Sequence, residues 1–139
     1  MATFFLDTSF VLALEVSNDG NHLAARQYWD QLVRKRFSLI TTSYVFDEIV
    51  TYLVSRGHHA KAVQVGNRLL LSPSVRLVHV DEPLFFAGWE YLQRHEDKQY
   101  SLTDCISFVV MRQRDIRSAL AFDIHFRQAG YTVVPPIAV

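Results

Sequence analysis

Residues 3–16 read Thr3-Phe4-Phe5-Leu6-Asp7-Thr8-Ser9-Phe10-Val11-Leu12-Ala13-Leu14-Glu15-Val16. A short apolar run ends at three residues whose side chains satisfy the free N–H groups of a helix start, and a second apolar run follows. The stretch predicts strand, turn and helix, with a carboxylate at the carboxyl end of the strand.

The same alternation continues along the chain. After the loop Ser17 to Asn21, Leu23, Ala24, Tyr28, Leu32 and Val33 recur at helical spacing up to the basic stop Arg34-Lys35-Arg36. Phe37 to Ile40 reads as a second strand. Thr41-Thr42-Ser43 opens a helix to about Ser55, closed by Gly57, and another helix runs from about His59 to Leu71 before Pro73. Val75 to Val80 is a third strand. Asp81-Glu82-Pro83 begins a helix expected to turn Phe85, Trp89 and Leu92 inward, Ser101 caps a helix through Met111, and the strands Ser118 to Phe122 and Tyr131 to Val134 follow. Strands separated by helices pair in parallel through right-handed crossovers. The predicted fold is a three-layer α/β/α sandwich around a mainly parallel sheet of about five strands, in a single domain over 1–139.

Composition agrees with one soluble domain. The 139 residues are 50% hydrophobic and 20% charged, enough to bury a core without disulfides or structural metal. The apolar runs are far shorter than a membrane-spanning helix requires, Asp7 interrupts what would be a signal-peptide core, and the one cysteine, Cys105, has no partner within the chain. A cytoplasmic location is expected. A formal net charge of zero argues against bulk electrostatic capture of nucleic acid, yet Arg34-Lys35-Arg36, Arg112 with Arg114 and Arg117, and His125 with Arg127 form local basic clusters. Those clusters read either as strand-holding groups or as solvated helix ends favoured by the helix dipole.

In parallel α/β sheets, ligands collect at the carboxyl ends of the strands. Asp7 follows the first strand, Asp123 follows the fourth, Asp104 lies in the first turn of the preceding helix, and Glu48 lies on the helix after the second strand. If Val45, Ile49 and Leu53 form the buried stripe of that helix, Glu48 sits at its margin and Asp47 points away. Other readings stay open. Asp7 fits a helix N-cap, Asp104 has capping-box spacing from Ser101, and Asp123 fits a turn. Signatures of competing chemistry are missing: there is no GxGxxG or P-loop among only five glycines, and His58-His59 is not a zinc spacing.

Taken in order, Leu6-Asp7-Thr8-Ser9, Thr42-Ser43-Tyr44-Val45-Phe46-Asp47-Glu48, Ser101-Leu102-Thr103-Asp104-Cys105-Ile106-Ser107 and Ala121-Phe122-Asp123-Ile124-His125-Phe126 with Gly130 resemble a PIN domain. The match covers essentially the whole chain, and the small size resembles the VapC type, the ribonuclease toxins of toxin–antitoxin pairs. The resemblance implies a metal-dependent endoribonuclease in which Asp7, Glu48, Asp104 and Asp123 bind Mg²⁺ or Mn²⁺ and cut RNA. Asp7 and Asp104 would hold the principal ion, and Glu48 and Asp123 a second ion or the attacking water. Thr8 and Ser9 would support them, and His125, Arg127 and Arg112 would contact RNA. A homodimer and a cognate antitoxin are implied by the same family, and a PIN-fold binding module with little activity is the rival reading. One departure bears on the site: Ala121 stands where many relatives have Thr or Ser, with Ser9 or a water as the substitute hydroxyl.

Overall fold

Ala2–Leu6 forms β1, the middle strand of the sheet, and the remaining elements are laid down around it. In the computed structural model, which describes residues 1–136, α1 (Thr8–Glu15) and α2 (His22–Leu32) lead to β2 (Phe37–Thr42). Next, α3 (Ser43–Ser55) and α4 (His59–Leu71) lead to β3 (Val75–Val78), and α5 (Glu82–Arg94) and α6 (Leu102–Gln113) to β4 (Ser118–Leu120). The short helix α7 (Ile124–Gln128) precedes β5 (Thr132–Val134). Strand order is β3-β2-β1-β4-β5 and every pair is parallel. The expected five-stranded α/β sandwich is the observed one.

Strand order determines where the site lies. From β1 the chain steps outward to β2 and β3, then crosses back to β4 and β5 on the other side. With right-handed crossovers, these two directions place α1 to α4 on one face and α5 to α7 on the other. The reversal opens a crevice beside β1 and β4, at their carboxyl ends. Both faces are covered, so the middle strands read as continuous apolar runs: Phe5, Leu6, Leu39, Ala119 and Leu120 are buried.

Two strands end earlier than their apolar runs suggest, for the same physical reason. At the carboxyl edge, side-chain hydroxyls from helix starts replace ladder partners. Val80 N–H donates to Ser43 Oγ (2.9 Å) and Phe122 N–H to Ser9 Oγ (2.9 Å). Gly57, in the left-handed region at φ +79°, ends α3 as its position predicts, and the N–H of His58 reaches back to the Leu53 carbonyl (2.9 Å).

The inward face of α5 is a correction. Leu84 and Gly88 are buried, Phe85 and Leu92 are only partly covered, and Trp89 is 46% exposed. The rotation follows from close approach to α6. A Cβ at position 88 would press into the Ile106 side chain and stand 3.3 Å from its Cα, so glycine seats the contact. A reading of apolar spacing gives glycine no weight and therefore selects the neighbouring stripe. Gly88→Ala is expected to destabilise the protein by about 1–3 kcal/mol, read from denaturant midpoints at constant m, because Ile106 is fully buried and has nowhere to move.

Candidate metal centre and active site

Asp7 is held at the switch point by backbone and side chain together. Its N–H extends the β1–β4 ladder to the Leu120 carbonyl (3.0 Å), and its carboxylate caps α1 by accepting from Ser9 N–H (3.1 Å). Ser9 Oγ donates to Asp7 Oδ2 (2.5 Å) while accepting from Phe122 N–H, so one hydroxyl joins the ends of β1 and β4. Buried Thr41 donates to the Leu6 carbonyl (2.8 Å) just upstream. Where Ala121 offers no hydroxyl, Ser9 in the first turn of α1 supplies one to the Asp7 carboxylate. Ser9→Ala leaves Phe122 N–H and one Asp7 oxygen without this partner; a loss of about 1–3 kcal/mol in chemical denaturation is expected.

Asp104 is both a helix cap and a member of the acidic cluster. Ser101 Oγ accepts from Asp104 N–H (3.0 Å), and Asp104 Oδ2 accepts from Ser101 N–H (3.2 Å), completing a capping box at the start of α6. The same oxygen lies 3.1 Å from His125 Nδ1. Asp123 is not a simple turn residue: it caps α7, accepting from His125 N–H (2.8 Å), and its Oδ1 is 3.2 Å from His125 Nδ1. Asp104, Asp123 and His125 each offer one ligand atom, all within 4.8 Å of one another.

Glu48 reaches the cluster from α3. Val45, Ile49 and Leu53 are its buried stripe, Glu48 is half-buried at the margin, and Asp47 is exposed and accepts from Thr51 (3.1 Å). Thr8 Oγ1 donates to Glu48 Oε1 (2.6 Å), so Thr8 and Ser9 each hold one carboxylate. The spacing argument that chose Glu48 over Asp47 agrees with this geometry.

Charge crowding follows from the packing. Burial, and then the carboxylates of Asp104 and Asp123, push Asp7 up to about 7, although its hydrogen bonds to Ser9 oppose the rise. Asp104 is raised by burial and by Asp123, with His125 opposing. Glu48 is raised by burial and, less strongly, by Asp104. The four carboxylates therefore share one electrostatic site that favours protons, or a cation, over bare negative charge.

The basic residues divide. His125 enters the cluster itself, which the sequence left as a possible phosphate contact, while Arg127 is exposed on α7 nearby. Arg112 is not brought there. It lies eight residues beyond Asp104, about 12 Å along α6. Behind His125, the buried Tyr100 ring packs edge-on at 5.5 Å between centroids and closes that wall of the site. Helix α7 escaped sequence reasoning because five residues carry too little periodicity; Asp123 as cap and Gly130 at φ +95° were its available signals.

A family model for the PIN domain matches residues 4–130. The chain belongs to the PIN-domain family. Over 132 residues, 95% of this PIN domain and 98% of the relative, it is 39% identical to the 23S rRNA-specific endonuclease VapC20 of Mycobacterium tuberculosis. The crystal structure of that VapC20, described as a Sarcin-Ricin loop cleaving toxin, superposes with a TM-score of 0.84 at 37% identity, covering 93% of this chain and 96% of that one. VapBC2 from Rickettsia felis, bound to a DNA fragment from its promoter, has a TM-score of 0.67 at 11% identity over 94% and 96% of the chains, a likeness of fold alone.

Proposed function

We propose that this PIN domain is a metal-dependent endoribonuclease of the VapC toxin type. The observation that carries the reading is the convergence of Asp7, Glu48, Asp104 and Asp123, from four separate segments, at the carboxyl edge beside β1 and β4. Full-length likeness to an rRNA endonuclease supports the substrate class.

The residues fit a hard divalent cation. Oxygen donors dominate the cluster, and the burial and mutual repulsion that raise Asp7 and Asp104 are costs to the bare carboxylates that such an ion relieves. Asp7 and Asp104 would hold the principal Mg²⁺ or Mn²⁺, with Asp123 and Glu48 completing the site directly or through water. Bound there, the ion supplies Lewis-acid stabilisation of charge on the phosphate oxygens and a more acidic attacking water. The chain's own groups orient this chemistry. Ser9 fixes Asp7, Thr8 fixes Glu48, and the Ser101 capping box with His125 fixes Asp104. His125 and Arg127 would receive a phosphate beside the carboxylates, and Arg112 one farther along the RNA strand. The products would carry 5′-phosphate and 3′-hydroxyl ends.

The same reading brings a cognate antitoxin, a homodimer and a cytoplasmic location. Among the described residues no helix is long and apolar enough to cross a membrane. Exposed Val63, Leu70 and Leu71 on α4 offer apolar area for a protein contact.

Incubation with folded ribosomal RNA in Mg²⁺ or Mn²⁺ is expected to yield discrete cuts that disappear in EDTA. In the absence of RNA, Mn²⁺ at about 100 times its Kd should add about 2.7 kcal/mol of stability, read as a rise in Tm. A folded protein that neither cuts RNA nor shifts with Mn²⁺ would return the chain to the binding-module reading.

A further inference from the structure

The catalytic reading leaves most of the basic clusters without a task, and the fold brings them together. All five strands run the same way, so the segments preceding them share the edge opposite the carboxylates. Arg34, Lys35 and Arg36 precede β2, the Met1 amino group precedes β1, and Arg114 and Arg117 precede β4, with Arg112 in the last turn of α6. These three strands are adjacent in the order β2-β1-β4, at a spacing of about 4.8 Å, so the groups form one continuous patch.

Six of the chain's 14 Lys and Arg residues lie in this patch, and all six are exposed. Of these six, only Arg117 has a carboxylate of the described residues within 4.0 Å, exposed Asp115 at 3.6 Å. A hollow of about 540 Å³ opens in the patch, bordered by Met1, Thr3, Arg114, Asp115, Arg117 and Ser118. Helix-end electrostatics account for Arg112 and Arg114, but not for Arg36 and Arg117, which stand directly before strands. The formal net charge of zero conceals an acidic edge and a basic edge separated by the length of β1, about 17 Å.

We propose that this basic edge is a second RNA-contact surface, which holds phosphates of a folded substrate at a distance from the bond being cut. The inference rests on the endoribonuclease reading and adds the substrate's size class to it. An acidic catalytic edge repels a polyanion, so long-range attraction must come from elsewhere on the molecule. Exposed guanidinium groups on several adjacent segments suit the oxygens of a phosphate backbone and carry no base readout. Only an RNA large enough to reach past the site can touch both edges, so a short hairpin gains nothing from the patch.

The test uses the whole chain with a long folded ribosomal RNA fragment and a short hairpin that contains its cleavage site. The variants are R34Q/K35Q/R36Q and R114Q/R117Q, singly and combined, with the corresponding Arg→Lys set as the charge-preserving control. In EDTA the combined Gln variant should bind the long fragment at least about tenfold more weakly, with the slope of log K against log salt smaller by about one for each phosphate no longer neutralised. The Lys set should bind like the wild type. With metal, kcat/KM on the long fragment should fall while kcat/KM on the hairpin stays unchanged. Unaltered affinity and salt slope would overturn the proposal, as would an equal fall on both RNAs, or loss of binding to anionic lipid vesicles with RNA binding intact. If the wild type cuts neither RNA but the EDTA binding deficit occurs, the basic surface stands and the catalytic reading fails.

Discussion

Asp7→Asn is expected to abolish metal-dependent RNA cleavage, by at least about 10²–10³-fold, while making the metal-free protein more stable at pH 8 by about 2–4 kcal/mol. The two effects have one cause. A buried carboxylate facing Asp104 and Asp123 is costly when ionised, and Asn removes the charge while its side-chain oxygen still accepts from Ser9 at the start of α1. Cleavage assays and chemical denaturation in EDTA, on the same preparations, measure both. A variant that loses stability as well as activity would make Asp7 a structural cap and remove it from the metal site. Activity retained by a folded variant would contradict the proposed mechanism directly.

The second large effect is a pH dependence of the metal-free protein. In the folded state Asp7 titrates at about 7, above the ordinary value near 3.8 that an exposed Asp has in the unfolded chain. Between those values the folded state binds the extra proton, so the associated stability is complete below the unfolded value and is lost as pH rises through the folded one. The loss attributable to Asp7 is about 4 kcal/mol between pH 4 and pH 8. The raised Asp104 and Glu48 act in the same direction. The difference between wild type and Asp7→Asn across that range isolates the group from every other titration. Saturating Mn²⁺ should flatten the wild-type profile above pH 7, where the ion takes the place of the proton. A difference profile that is level with pH would show that Asp7 is not held in the environment described.

Both predictions depend on features that were only partly legible in the chain. Asp7, Glu48, Asp104 and Asp123 could each be selected by position relative to a strand or helix stripe, because capping chemistry and helical periodicity are local. Choosing Glu48 over Asp47 needed only Val45, Ile49 and Leu53 at their spacing. The role of His125 was not legible in the same way. Its place between Asp104 and Asp123 requires α6 and α7 to meet, and His125 is 21 positions from Asp104 in sequence. The rotation of α5 is likewise hidden from a reading of Phe85 and Trp89, since the contact that sets it is made by Gly88, whose significance lies in the side chain it lacks.

The sequence by itself determined the alternation of strands and helices, the parallel α/β class, the caps at Asp7, Ser101 and Gly57, and which acidic residues stand at strand ends. These follow from period, propensity and hydrogen bonding within a few residues. Tertiary structure decided what no local pattern encodes. The order β3-β2-β1-β4-β5 gathers four carboxylates at one edge and the Arg34–Arg36 and Arg114–Arg117 segments at the other. That separation turns a net charge of zero into a molecule with one edge crowded with carboxylates and one edge rich in cations, because parallel pairing collects every strand's end on one side and every strand's beginning on the other.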